Sequence, residues 1–143
     1  RFLSDKSYDD ALANIFIGFI DVSSGKLDYV CAGVEMGFHI HDDKYERLTS
    51  KFPPVGYELN TAIESDSIYL DKNHILYILS AESEIQNVAN RSSIHSSEIM
   101  DIIQSNSESS LVNIISQIDH RVEEITRLSE GKTHSTQLVF RRC

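Results

Sequence analysis

The chain has 143 residues, of which 41% are hydrophobic and 24% are charged. This composition is typical of a globular domain and argues against a wholly disordered chain. Thirteen basic residues against twenty-two acidic ones give a net charge of -9, which excludes a broad basic face and makes nucleic acid a poor partner. The apolar runs are far shorter than the roughly 20 residues that cross a bilayer. We therefore expect one domain over residues 1–143, without a membrane span.

The start of the chain lacks both a secretory signal and an initiating Met, so we expect a cytoplasmic protein of which this chain is a fragment. Two cysteines, Cys31 and Cys143, are too few for a disulfide framework, which agrees with a reducing compartment. Cys31 lies in a strand-like apolar segment, where a thiol usually behaves as a small inert hydrophobe. Cys143 is the last residue and is expected to be exposed.

The first half of the chain predicts strands joined by turns. Residues 11–22 are almost continuously apolar, which predicts a strand inside a sheet and covered on both faces. A Ser-Ser-Gly-Lys turn at 23–26 then leads into a second strand at 27–32, and together they predict a β-hairpin. Further strands are predicted at 36–41, 45–49, 62–70 (edge-like) and 75–79 (buried), with a proline-containing loop at 52–56.

The second half predicts helices and a final strand. Apolar residues at helical spacing predict a long amphipathic helix over residues 108–130, with an inward face of Leu111, Ile115, Ile118, Val122 and Ile125. Ser105 and Glu108 have the spacing of a capping box at its start, and Gly131 fits a C-cap. A shorter helix is predicted at 97–104, a Ser-rich loop at 91–97 and a strand at 137–140. Strands followed by helices predict an α+β fold with helices packed on a sheet.

Four segments in this order, residues 15–21, 25–33, 54–56 and 70–79, resemble the back half of SpoIIE-like phosphatases. These are bacterial relatives of the metal-dependent 2C-type (PPM) protein serine/threonine phosphatases. The resemblance implies an antiparallel β-sandwich flanked by helices. This chain would be the C-terminal portion of such a domain, and the front part of the family domain would precede Arg1.

The chain departs from the family at its metal-binding motifs. Val34 stands where the family has the histidine of Ala-Gly-His. Ser80 and Ala81 stand where the family has the Asp-Gly that ends a strand, and Thr133 and His134 replace both aspartates of the closing Asp-Asp-x-Thr. Family members activate water with paired Mn²⁺ or Mg²⁺ ions, and such hard cations need charged oxygen ligands. We therefore expect a catalytically degenerate domain that needs no cofactor.

Two further groups of residues invite a metal interpretation. His39 and His41 would share one strand face, and carboxylates beginning with Asp42 follow at once. The alternative is a solvated hairpin tip, because no third distant ligand is apparent. Glu84 falls where the family often keeps an acid, so it is a candidate ligand. Alternatively, it is a first-turn helix acid favoured by the helix dipole.

The resemblance implies a regulatory function. We expect a degenerate domain that binds a phosphoprotein of the anti-sigma-factor antagonist type, or a partner phosphatase, in a partner-switching pathway. One alternative is an active phosphoserine phosphatase that uses Mn²⁺ or Mg²⁺ held by residues outside these motifs. The other is a scaffold that holds sensory domains together as a homodimer.

Overall fold

The computed structural model describes residues 12–34, 36–48, 50–56, 62–81, 86–87, 92–93, 95–127 and 135–143. Among these residues, no helix is both long and apolar enough to cross a membrane. In chain order the elements are β1 (Ile15–Ile20), β2 (Lys26–Ala32), β3 (Met36–His41), β4 (Lys44–Arg47), β5 (Asp66–Tyr69), β6 (Ile75–Ala81), β7 (Gln86–Asn87), β8 (Ser92–Ser93), α1 (Ser96–Ser105), α2 (Leu111–Thr126) and β9 (Ser135–Arg141).

The first of two main sheets has the strand order β1-β2-β5, with both pairings antiparallel. The predicted hairpin of β1 and β2 is present. The prediction that β1 lies inside a sheet and is covered on both faces is wrong, because β1 is an edge strand and one of its faces is exposed. Ile17 and Phe19 are 53% and 76% exposed. A continuous apolar run shows that a strand forms but does not show how many of its faces are covered.

The second sheet has the order β4-β3-β6-β9, again antiparallel throughout. β6 lies between β3 and β9, and its apolar run from Ile75 to Leu79 is buried as predicted, because one face packs toward the helices and the other toward the first sheet. Tyr77 lies at the middle of β6 and is fully buried, and its hydroxyl donates to Gln137 Oε1 at 3.0 Å. Burial raises the pKa of this phenol, which therefore remains a hydrogen-bond donor at neutral pH.

Two apolar cores separate three layers. One core lies between the two sheets and contains Leu27, Tyr29, Cys31, Val34, Leu48, Leu70, Leu76 and Ile78. The other core joins the second sheet to the helices through Phe38, Tyr77, Leu79 and the inward faces of α1 and α2. The architecture is thus α+β, with two stacked antiparallel sheets and helices on one side. This confirms the fold class predicted from the sequence.

The long helix begins later than predicted. α2 begins at Leu111, and its N-cap is Ser110, whose hydroxyl accepts from the Asn113 amide at 3.3 Å. Ser105 instead ends α1, so the predicted capping box is wrong. Three serines, at positions 107, 109 and 110, lie between the two helices, so the sequence offers more than one candidate N-cap. The inward face also includes the fully buried Ile114, while residues 128–130 and the predicted C-cap Gly131 lie outside the described residues.

The loop predicted at residues 91–97 is wrong at positions 92–93 and 96–97, whereas positions 91 and 94 lie outside the described residues. β8 pairs with β7 as a short two-stranded ribbon, and α1 begins at Ser96. Serine has a low intrinsic preference for either element, so local sequence hides both.

Arg142 fastens the last strand to the first hairpin. Its guanidinium donates to the Leu70 carbonyl at 2.8 Å and to the carbonyls of Val22 and Ser23 at 3.2 and 3.0 Å. Gly25 lies beside it with a φ of +76°, and a side chain there would collide with the guanidinium. These bonds hold the β1–β2 turn and the residue that follows β5 against the residue that follows β9.

Candidate functional site: a neutral cavity at one end of the sandwich

A cavity of about 230 Å³ opens between the two sheets, near the last residues of β6. We call it the neutral cavity. It is lined by Asn14, Phe16, Val34, Ile78, Ser80, Thr136 and Leu138. The polar groups among these side chains are one amide and two hydroxyls. The described lining therefore combines an apolar floor with uncharged groups that can donate hydrogen bonds.

Strand register explains why distant residues meet at this cavity. Ser80 on β6 lies directly opposite Thr136 on β9, although 56 positions separate them in sequence. Val34 is brought in by the turn that follows β2. Gly33 occupies this turn with a φ of +68°, and its amide donates to the Phe52 carbonyl at 3.0 Å. A side chain at Gly33 would collide with Asn14 and approach the Pro54 ring at 2.8 Å.

The lining of the neutral cavity does not fit a pair of Mn²⁺ or Mg²⁺ ions. These cations bind through several oxygen ligands, and a two-metal site needs carboxylates to balance the charge. Among the lining residues that the structure describes, none is acidic. Hydroxyl and amide oxygens are neutral, so they leave that charge uncompensated. We derive no metal-assisted step from this cavity.

The chain is similar to known proteins in both sequence and fold. No family model matches the sequence. Protein IcfG of Synechocystis sp. (strain ATCC 27184 / PCC 6803 / Kazusa) is 37% identical over 65 residues, which are 45% of this chain and 10% of that protein. The phosphatase domain of the cell fate determinant SpoIIE from Bacillus subtilis matches 99% of this chain and 61% of that chain, with a TM-score of 0.57 and 16% identity.

The RsbU and RsbW domains of Rv1364c from Mycobacterium tuberculosis match 99% of this chain and 39% of that chain, with a TM-score of 0.63 and 18% identity. The fold is that of a SpoIIE-like phosphatase domain. This confirms the predicted resemblance at the level of the fold. The chain spans less than two thirds of each of these three proteins.

Within this phosphatase fold, two positions that the resemblance aligns with the family's motifs meet in space. Val34 and Ser80 both line the neutral cavity, together with Thr136. The backbone of Ala81 pairs with that of Ser135 beside them. The candidates Thr133, His134 and Glu84 lie outside the described residues, as does the neighbouring acid at position 82.

The histidines of the predicted hairpin lie at the opposite end of the phosphatase fold. His39 is only 6% exposed, so it is not part of a solvated hairpin tip. Its Nε2 lies 2.9 Å from Nδ1 of His74. The ring centroids of His39, His41 and His74 lie 4.7 to 5.0 Å from one another, and we call these three residues the histidine cluster. Burial lowers the pKa of His39, and the neighbouring His41 and His74 lower it further.

Sequence reasoning missed two members of this region, His74 and Glu46. His74 precedes β6 and is 35 residues from His39. Its proximity to His39 therefore becomes evident only from the pairing of β3 with β6. Glu46 lies directly opposite His39 on β4, and a predicted hairpin with a two-residue turn at 42–43 could have identified it. Cys31 is buried between the sheets, and burial raises the pKa of its thiol, which disfavours the reactive thiolate.

Proposed function

We propose that this chain is part of a regulatory phosphatase-fold domain that binds a phosphoserine protein without hydrolysing it. The observation that carries the proposal is the neutral cavity, whose described lining contains Val34 and Ser80 at two of the departing motif positions. A protein phosphatase of this fold would require metal-binding acids at this end. Hydroxyls and an amide take their place here, so binding can persist where hydrolysis cannot.

The same substitutions favour a phosphate group as ligand. Carboxylates without metal ions repel a phosphate, whereas the hydroxyls of Ser80 and Thr136 and the amide of Asn14 can donate hydrogen bonds to its oxygens. The partner that we propose is a phosphoprotein of the anti-sigma-factor antagonist type, as in the partner-switching pathways that the resemblance implies. Metal-free recognition distinguishes this proposal from the active phosphatase, which would need Mn²⁺ or Mg²⁺.

The test measures binding and turnover of one phosphoserine peptide with the intact protein. Binding is followed by fluorescence anisotropy in EDTA, and phosphate release is followed with excess Mn²⁺. We expect binding without release. Thr136→Val keeps the side-chain shape but removes a donor, and Ser80→Ala removes the other hydroxyl. Because a hydrogen bond to a charged group contributes about 1.5–3 kcal/mol, each variant should bind about tenfold or more weakly.

Ser116→Ala is the matched control, because it removes an exposed hydroxyl from α2 and should leave peptide binding unchanged. Repeated Mn²⁺-dependent turnover would contradict the proposal and establish the active phosphatase instead. Absence of peptide binding, or equal binding by all three variants, would also contradict it.

A further inference from the structure

We propose that the histidine end of the sandwich binds one transition-metal ion of the Zn²⁺ type through His39, His41 and Glu46, with His74 as a positioning residue. This inference is independent of the proposed function. His74 lies just before β6 and Ser80 lies near its end, so six residues of strand, roughly 20 Å, separate this site from the neutral cavity.

Three potential ligand atoms converge at this end. One ligand atom from each of His39, His41 and Glu46 lies within 4.8 Å of the others. Glu46 Oε2 lies 3.9 Å from His39 Nδ1, and Glu46 Oε1 lies 3.7 Å from His41 Nε2. A tetrahedral Zn²⁺ ion holds its ligands at about 2.0–2.1 Å, which separates neighbouring ligand atoms by about 3.3 Å. The two distances to Glu46 exceed this separation by only about 0.6 and 0.4 Å.

The strands hold these ligands in place before an ion arrives. His39 and His41 are two residues apart on β3 and therefore point to the same face, and Glu46 pairs directly with His39 across the β3–β4 hairpin. The hairpin closes through Asp42 and Asp43, whose φ values of +45° and +61° are those of a tight two-residue turn. This turn fixes the register, so the three ligands face one another without a loop rearrangement.

His74 supports the site through the other side of the His39 ring. Metal-binding histidines usually donate their second ring N–H to an acceptor, which fixes the tautomer and the ring orientation. His39 Nε2 lies 2.9 Å from His74 Nδ1, so this pairing leaves His39 Nδ1 facing Glu46. His74 also belongs to a second group of three, with His41 and Asp42. The pairing with His39 leads us to assign His74 the supporting position.

The ligand atoms favour one class of metal ion, and the exposure of their side chains indicates the side from which the ion enters. Two imidazoles and one carboxylate suit Zn²⁺ and similar transition metals, whereas Mg²⁺ and Mn²⁺ prefer sites made of oxygen ligands. His39 is buried, whereas the Glu46 side chain is 69% exposed, so the carboxylate faces the side from which an ion can enter. Three protein ligands leave a fourth position for water.

The test titrates Zn²⁺ into the EDTA-treated intact protein and its variants by calorimetry. We expect His41→Ala to weaken one Zn²⁺-binding event by at least 100-fold and Glu46→Gln to weaken it by at least tenfold. His74→Ala should weaken it by about 10–100-fold, as for other supporting partners of metal ligands. His120→Ala is the matched control, because this exposed histidine lies 3.7 Å from Glu124 and belongs to no group of three potential ligands among the described residues. It should bind Zn²⁺ like the wild type.

Circular dichroism of each variant identifies any loss of fold, and Glu46→Gln keeps the test decisive because Glu46 is exposed. Visible absorption of the Co²⁺-loaded protein should show the intense bands of a tetrahedral ion and lose them in His41→Ala. Unchanged Zn²⁺ binding in both His41→Ala and Glu46→Gln would overturn the proposal. A full loss in His74→Ala with no effect of Glu46→Gln would overturn the ligand assignment. Phosphoserine-peptide binding should be unchanged in these variants, so failure of either proposal is visible separately.

Discussion

The two ends of the second sheet carry different chemistry. β6 begins beside the histidine cluster and ends at the neutral cavity, and β3 pairs with β6 through the whole span between them. At the cavity, the described side chains are uncharged. At the other end, imidazoles and carboxylates converge. A phosphatase fold therefore determines which positions meet in space, whereas the residues at those positions determine the chemistry.

We expect the largest effect from a substitution in the buried middle of β6, the strand that runs from one end to the other. Tyr77 is fully buried at the centre of β6, so Tyr77→Ala should lower the free energy of unfolding by about 3–5 kcal/mol, through lost packing and a cavity. Urea denaturation of the intact protein measures this change. Tyr77→Phe is the control. It loses only the hydroxyl bond to Gln137, which should cost about 0.5–1.5 kcal/mol. Equal losses in the two variants would show that packing does not dominate.

A change at Gly33 should disturb the cavity end alone. Gly33→Ala forces a side chain into a left-handed conformation against Asn14 and Pro54, which we expect to destabilise the protein by about 1–3 kcal/mol. Zn²⁺ binding at the histidine end should persist. Gly18→Ala is the comparison, because its nearest obstacle is the flexible end of Leu27 at 2.9 Å. A smaller effect at Gly33 than at Gly18 would contradict the strain argument.

The smallest effect concerns the β1–β2 turn, whose Val22 and Ser23 carbonyls accept hydrogen bonds from Arg142. The Ser23 hydroxyl and the Ser23 and Ser24 amides donate to Asp21, and they lower its pKa from 3.8 to about 2. The unfolded chain therefore binds more protons between these values. The contribution of Asp21 to stability is present above pH 3.8 and is lost as the pH falls to about 2.

NMR titration of the Asp21 carboxyl group gives this pKa directly. In urea denaturation at pH 5, Asp21→Asn should have a lower free energy of unfolding than the wild type. This difference in free energy should shrink as the pH falls from 3.8 to about 2. A difference that is constant with pH would show that the carboxylate charge does not stabilise the turn.

Local patterns in the sequence predicted most of the elements, and β3 was predicted with the same bounds that the structure gives it. Patterns within a few residues were sufficient because side-chain alternation and helical spacing depend on near neighbours. Helix starts were less predictable, since Ser105 and Ser110 offer similar caps. The exposure of one face of β1 also escaped prediction, because it depends on which parts of the fold pack against that face.

The α+β order followed from the sequence, as did the resemblance that aligns Val34 and Ser80 with positions of the family's motifs. Only the tertiary structure shows that these two residues share one cavity and that His74 lies against His39. The physical reason is strand register. Pairing of β3, β6 and β9 joins residues that are dozens of positions apart, and a shift of one residue in a strand would turn its side chains to the opposite face.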